Sequence, residues 1–509
     1  MKHHLFFLGL LSLFPFPVLG QQETEVFLVE MGWEEKGPVF GIPINLSKNH
    51  GYDNQPSFDG PDHLLYAATR NGQTDVVRQH LVDHTKQWLT QSPQGSEYSP
   101  TKMPVGPGFS TIRLDTSGLQ RLYVHETKDA PGRMLPKDAK IGYHLWYSAN
   151  ELVATVLVQN RMDLFLFDVE RNSRKQLHQN VGRSLHRLPH SEMISFIALN
   201  NKEKTLFSLH PISGRKEAIA PLPKGTEDVC WLPNGNVLTG VKNTILQWDP
   251  KTSRDWAPLH SFSQDHVNDI SRMAVGPEAK RMAFVSSLTP PQLIDKQMAA
   301  FSKKELDVFS QCFSKEVLVT RFWADTLHTG RDAVKAHYRN FFAEHDPVGA
   351  SAGNRIRLGN TVIDHETVIK GDQTKVQAVI YQVQDATIDR MDFVALTPNE
   401  GTDAEKVVQE QLEAYNQRDL DAFVATYAED ISIYNYGGNL LYKGHDALRA
   451  GYARFFESAP DLHCQIQNRI VLGNKVIDLE HVTARGSQFQ AIAIYEVNGG
   501  KITKVTFIR

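Results

Sequence analysis

Two histidine–glutamate neighbours, His365-Glu366 and Glu480-His481, are candidates for acid/base chemistry. A carboxyl and an imidazole are common acid/base partners. Successive side chains on a strand point to opposite faces, so only one member of each pair can serve a given site. Tyr415, Tyr434, Tyr436, His463 and Tyr495 offer further polar groups nearby. Gly349-Ala350-Ser351-Ala352-Gly353 carries the letters of a nucleophile elbow. That elbow needs a strand before it and a helix after it. Here the pattern runs from helix to strand through Pro347, so the segment reads as a flexible loop. His80 and His84 would share one face of a helix, but Val76–Val82 alternates as a strand and implies no metal pair. Nothing in the residue pattern calls for a cofactor.

The elements around these candidates come in duplicate. Adding 114 to a position in the first copy lands on its partner in the second, and many partners are identical. Gln297 meets Gln411, Phe309 meets Phe423, and Gly330, Asp332 and Ala333 meet Gly444, Asp446 and Ala447. Asn354-Arg355 meets Asn468-Arg469, Val362-Ile363-Asp364 meets Val476-Ile477-Asp478, Glu366 meets Glu480 and Tyr381 meets Tyr495. Identities this dense at one offset mark two copies of one unit. In the second copy the helical period covers Ala404–Asn416, Leu420–Ala428 with Asp419 as its cap, and His445–Glu457. Strands are expected at Ile431–Asn435, His463–Leu472, Lys475–Thr483, Gln488–Val497 and Lys501–Arg509. Three helices on one curved sheet would enclose a pocket. The segment Leu396–Ala404, with Pro398, Asn399 and Gly401, reads as a short linker.

From residue 22 to 288 the pattern changes to short strands separated by Asp59-Gly60, Asn71-Gly72, Ser213-Gly214 and Asn234-Gly235. Units begin near Gln55, Glu97, Tyr143, Arg183, Asp228 and Ile270, a period of about 40 to 45 residues that suits the four-stranded blades of a propeller. Arg272–Ser286 with Glu25–Leu46 would complete the last of six blades. A two-sheet sandwich is the alternative. Trp88, Trp146, Trp231, Trp248 and Trp256 are read as blade packing.

The phrase Pro56-Ser57-Phe58-Asp59-Gly60, with the remnant Trp231-Leu232-Pro233-Asn234-Gly235, resembles the repeats of TolB-like propellers. Asn416 through Asp421, Tyr427-Ala428-Glu429-Asp430 and Gly444-His445-Asp446-Ala447-Leu448 look like the SnoaL-like branch of the NTF2-like superfamily. The first copy resembles it more loosely, because Lys303-Lys304-Glu305 and Phe322-Trp323-Ala324-Asp325 replace the usual phrases. The resemblance implies a multidomain chain, an all-β six-bladed propeller at 21–288 followed by two α+β cone domains at 291–396 and 403–509. It also implies that the two cones pair within the chain through their sheets, burying Ile492 and Ile494 against Val379 or Ile380. Ketosteroid isomerase in this superfamily uses a Tyr, an Asp base and a protonated Asp. Those places fall here on Gln411, Asn435 and Ala493, and in the first copy on Gln297, Arg321 and Val379, so that mechanism is not expected. A ligand pocket lined by Gln411, Tyr415, Asn435, Glu480, Ala493 and Tyr495 is expected in the second copy. Arg321, Phe322, Trp323 and Val379 are expected to fill the first.

The bulk properties add boundaries. At 509 residues, with 41% hydrophobic and 22% charged, the chain exceeds one core. A net charge of −4 without a basic cluster argues against nucleic acid as a partner. Lys2 precedes an apolar stretch Leu5–Leu19 interrupted by Pro15 and Pro17, and Val18-x-Gly20 offers a cleavage site. That stretch is shorter than the ~20 residues a span needs, so a removable leader at 1–20 and a periplasmic or secreted product are expected. Cys230, Cys312 and Cys464 read as buried thiols. The partners this suggests are a protein or a small apolar ligand, held by a binding protein or by an isomerase, cyclase or hydrolase.

Overall fold

Tight turns set the first half of the chain. Asn71 (φ 51°) and Gly72 (φ 78°) both adopt the left-handed backbone that a two-residue hairpin requires. They join His63–Arg70 to Gln73–His80, with Arg70 opposite Gln73. The computed structural model describes residues 23–509 apart from 36, 50, 94, 128–131, 137, 201–202, 399, 400 and 402. The leader expected at 1–20 and Asn399 of the linker lie outside the described residues. Two compact units emerge. One runs to Ser287 without Gln264–His266, which join Leu288–Arg509 in the other.

Among the described residues, the N-terminal unit forms six small antiparallel sheets rather than two large ones. Five have four strands each in sequence order, beginning at Asn54, Gly95, Ile141, Val181 and Cys230. The sixth brings Glu25–Glu34 beside Arg281–Ser286, with Glu25 opposite Ser286. Strand centres such as Leu64–Ala68 and Leu152–Val156 are buried on both faces. Apolar clusters lie between consecutive sheets. Leu65 meets Phe109, Ile112 meets Leu152, Val153 meets Phe196, and Ile197 meets Trp231. The sixth sheet shares one cluster with the fifth through Phe284 and Cys230, and another with the first through Val285 and Leu64. In five of the sheets the opening strand breaks register, at Asn54/Ser57, Tyr98/Thr101, Ile141/Tyr143, Val181/Leu185 and Ser271/Ala274.

In the C-terminal unit, one order of elements occurs twice. Pro290–Ser302, Leu306–Gln311 and Arg331–Glu344 are helices, and so are Ala404–Gln417, Leu420–Ala425 and Gly444–Ser458. Asp403 and Asp419 cap their helices by accepting from the Lys406 and Ala422 amides. Each set lies with a six-stranded sheet of the same order. The second sheet runs Leu440–Lys443, Tyr427–Asn435, Lys501–Ile508, Ser487–Asn498, Lys475–Ala484 and His463–Leu472. Leu420–Ala425 is shorter than its helical pattern promises because Tyr427 already pairs with Ile502. Gly349–Gly353 is a correction to the expected loop. It lies in the strand Val348–Leu358, where its backbone pairs with residues up to Ile369.

The two sheets pack through one face each. Ile356, Ile363 and Ile380 meet Ile470, Ile477, Ile492 and Ile494 in a shared apolar cluster. Of the two alternatives, Ile380 faces this cluster, and Val379 points into its own half's core. Asn354 and Asn468, equivalent positions of the duplication, exchange amide hydrogen bonds of 3.1 and 3.0 Å. Each also donates to the carbonyl after its partner, at 2.8 Å. Equivalent residues that touch one another lie at a local two-fold axis, as at the centre of an isologous dimer.

Candidate functional site

Strand alternation decides which polar groups turn toward the helices. Along Lys475–Ala484, Val476 and Val482 join the core beneath the helices, whereas Ile477 and Leu479 join the inter-sheet cluster. Asp478 and Glu480 share the helix side and His481 does not. Asp478 is held by Arg469 through two bonds of 2.7 Å. Glu480 is 8% exposed and accepts from the Tyr495 hydroxyl at 2.8 Å. Burial pushes its carboxyl up to about 7, even though the Tyr495 bond favours the charged form.

Glu480 borders a cavity of about 650 Å³ between helices and sheet, within the usual size range for small-molecule sites. Gln411, Tyr415 and Tyr495 line it as well, and Ala491 leaves room on the sheet side. Asn435 and Ala493 do not line it. Asn435 sits at a turn with its amide bonded to the Asn439 carbonyl, and Ala493 is fully buried in the core. Neither is the pocket residue that the sequence suggests: Asn435 ends its strand at a half-buried turn, and Ala493 is packed into the core. Sequence reasoning missed Tyr427, Tyr442, Tyr452, Phe455 and Cys464 as lining residues. Tyr452 and Phe455 carried a helical period that looked like core alone. Arg454, Arg485 and Arg509 stand at the exposed rim, with Arg485 over the Phe455 ring at 5.4 Å. Tyr434 and Tyr436 serve the other half instead. Tyr434 packs on Trp323 at 4.7 Å, and the Tyr436 hydroxyl donates to Asp392. His463 is exposed.

The first half repeats the arrangement at smaller scale. Glu366 accepts from Tyr381 at 2.6 Å and from Gln377 at 3.1 Å, and burial pushes its carboxyl up to about 7. It borders a cavity of about 340 Å³ with Gln297, Tyr338 and Phe341. The expectation that Arg321, Phe322, Trp323 and Val379 fill this space is overturned. Arg321 turns to solvent and pairs with Asp325 at 2.9 Å. Trp323 leaves through a left-handed turn (φ 58°) and donates to Thr506 at 2.9 Å, Phe322 packs at the inter-sheet cluster, and Val379 stays in the core. The three cysteines are buried and unbonded to one another. Among the described residues no helix is long and apolar enough to cross a membrane.

A six-stranded sheet, three helices and a buried polar pair beside a cavity make this an α+β arrangement with room for a ligand. Residues 408–505 match the family described as SnoaL-like domain. Solved structures with similarity include an uncharacterised cystatin fold protein from Novosphingobium aromaticivorans, 31% identical, over 21% of this chain and 100% of that one, TM-score 0.21. A putative polyketide cyclase from Sinorhizobium meliloti is 20% identical, over 20% of this chain and 94% of that one, TM-score 0.19. A putative TolB from Agrobacterium tumefaciens is 12% identical, over 52% of this chain and 99% of that one, TM-score 0.41. No curated protein matches.

Proposed function

We propose that this chain is an exported binding protein whose C-terminal SnoaL-like domain takes a small, mostly apolar ligand bearing one hydrogen-bonding group. The carrying observation is the cavity of about 650 Å³ with Glu480 and Tyr495 in its wall. The aromatic rings of Tyr415, Tyr452 and Phe455 supply the apolar contact, and Glu480 meets the ligand's polar atom. In the same reading, residues 291–396 form a second, divergent cone, and the two pair within the chain. The six small sheets are the blades of a closed propeller that serves as an interaction platform. Its support is the cyclic sequence of shared clusters and the pairing of Glu25 with Ser286. Export rests on the sequence of residues 1–20.

The test is fluorescence titration of the full chain with 1-naphthol, a neutral aromatic alcohol. Binding is expected, and Ala491→Trp, which fills the cavity from the sheet side, should abolish it. Naphthol that fails to bind, or binds Ala491→Trp as well as wild type, overturns the proposal. A second reading, an isomerase, cyclase or hydrolase working through Glu480, is favoured by a carboxyl poised near neutrality. Loss of turnover in Glu480→Gln with naphthol binding retained would select it.

A further inference from the structure

The register breaks of the N-terminal unit have a common consequence. A bulge leaves one residue unpaired and re-aims its side chain. Gln55 (φ 58°), Ser99 (φ 48°) and Arg272 (φ 44°) occupy such bulges in left-handed backbone, Arg183 lies in another, and Tyr143 borders a fifth. Asp228 takes the matching place just before the strand Cys230–Trp231. These six residues, one from each sheet, recur about every 40–45 positions. All six line one cavity of about 770 Å³.

The charges at this level do not balance. Arg183 donates to Asp228 Oδ2 at 2.8 and 2.5 Å and lies 3.4 Å from Glu227. Arg272 approaches Asp228 Oδ1 only to 3.7 Å, beyond a hydrogen bond. Its Nη2 donates to the Tyr143 hydroxyl at 3.3 Å. The side chain of Arg272 is 13% exposed, so water screens little of its charge. Lys102 pairs with Asp59 at 2.7 Å. Arg187 stacks over Tyr147 and is exposed, so water screens its charge. His144 and His186 also line the cavity, and burial pushes them down to about 3 and about 4, so both are neutral near pH 7. At the level of Asp228, two guanidiniums, Arg183 and Arg272, therefore face one carboxylate, and an excess of positive charge is left to be matched.

We propose that this cavity is a binding site for a carboxylate, which Arg272 receives with help from the Tyr143 hydroxyl. A guanidinium presents paired N–H groups that fit the two oxygens of a carboxylate. A monoanion matches the charge left over beside Arg272, whereas a phosphate dianion held there would meet stronger repulsion from Asp228. The carboxylate can come from a free small acid or from the end of an extended peptide.

Isothermal titration of the full chain distinguishes them, with tri-alanine bearing a free carboxylate, its C-terminal amide, acetate and inorganic phosphate as probes. Tri-alanine is expected to bind, its amide and phosphate roughly tenfold or more weaker, and Arg272→Gln to weaken tri-alanine roughly tenfold. Acetate binding as tightly as tri-alanine assigns the site to small acids, and tighter tri-alanine assigns it to peptide ends. Asp228→Asn removes the competing charge and should bind tri-alanine more tightly, which keeps the test decisive should Arg272→Gln misfold. Equal binding of acid and amide, unchanged binding in folded Arg272→Gln, no gain in Asp228→Asn, phosphate binding best, or no binding of either carboxylate at millimolar concentration overturns the proposal.

Discussion

Replacing Glu480 by glutamine removes a proton equilibrium while keeping the side chain's shape and its acceptor for Tyr495. In the unfolded chain this carboxyl ionises near 4.5, and in the folded protein near 7. Below pH 4.5 both states hold the proton, and the group has no pH-dependent effect. Between those values the unfolded chain releases the proton and the folded protein does not, so wild-type stability falls by about 1.4 kcal/mol per pH unit. Above pH 7 both states are ionised, and the loss levels off at about 3 kcal/mol. Glu480→Gln escapes this loss. Hydrogen exchange on peptides from Lys475–Asn498, read by mass spectrometry, reports the opening of this sheet separately from the N-terminal unit. The variant's advantage should grow from near zero at pH 4.5 to about 3 kcal/mol at pH 8. A constant difference across this range, or one that favours wild type as pH rises, would refute a raised Glu480 pKa and the buried setting that produces it.

Four further outcomes follow from the paired sheets and the cavity. Asn354→Leu or Asn468→Leu alone should cost about 1–3 kcal/mol, because each strands its partner's amide, and the double variant should cost less than their sum; urea unfolding checks the cycle. Gly359→Ala should cost about 1 kcal/mol for left-handed backbone alone, since nothing lies near its added carbon. Gly473→Ala should cost roughly 2 kcal/mol or more, because the same atom would meet the Thr397 carbonyl at 2.0 Å and displace its bond to the Asn474 amide. Ala493→Trp should disrupt folding of the C-terminal unit rather than merely block ligand, since Ala493 is fully buried away from the cavity; circular dichroism and melting temperature check it.

The duplication was legible because identities persist at one offset, and the strand and helix periods placed Glu480 and Tyr495 on their elements. Alternation also ruled that Glu480 and His481 face opposite ways, as the side chains do. What the pattern could not give was depth along a strand. Ala491 and Ala493 share a face, yet one lines the cavity and the other lies in the core, a distinction that depends on helices remote in sequence. Nor could it show that Arg321 and Trp323 leave their sheet. A left-handed turn at Trp323 turns an apparent plug into a contact with Tyr434 of the other half.

That contact bears on how the two halves diverged. A homodimer is bound to keep both cavities alike, because one sequence builds both. A tandem copy releases that constraint while the two-fold contact between Asn354 and Asn468 persists. The halves retain the same buried pair, Glu366 with Tyr381 and Glu480 with Tyr495. They differ in what surrounds it. Tyr381 and Gln377 both donate to Glu366, but position 491, equivalent to Gln377, is Ala, and the space gained there belongs to the larger cavity. One substitution at a single wall position thus removes a donor to the carboxyl and opens volume beside it. Ala491→Gln should restore that donor, lower the Glu480 pKa and shrink the cavity, so naphthol binding should weaken while the fold survives. Unchanged naphthol affinity in a folded Ala491→Gln would show that this wall position does not set the difference between the halves.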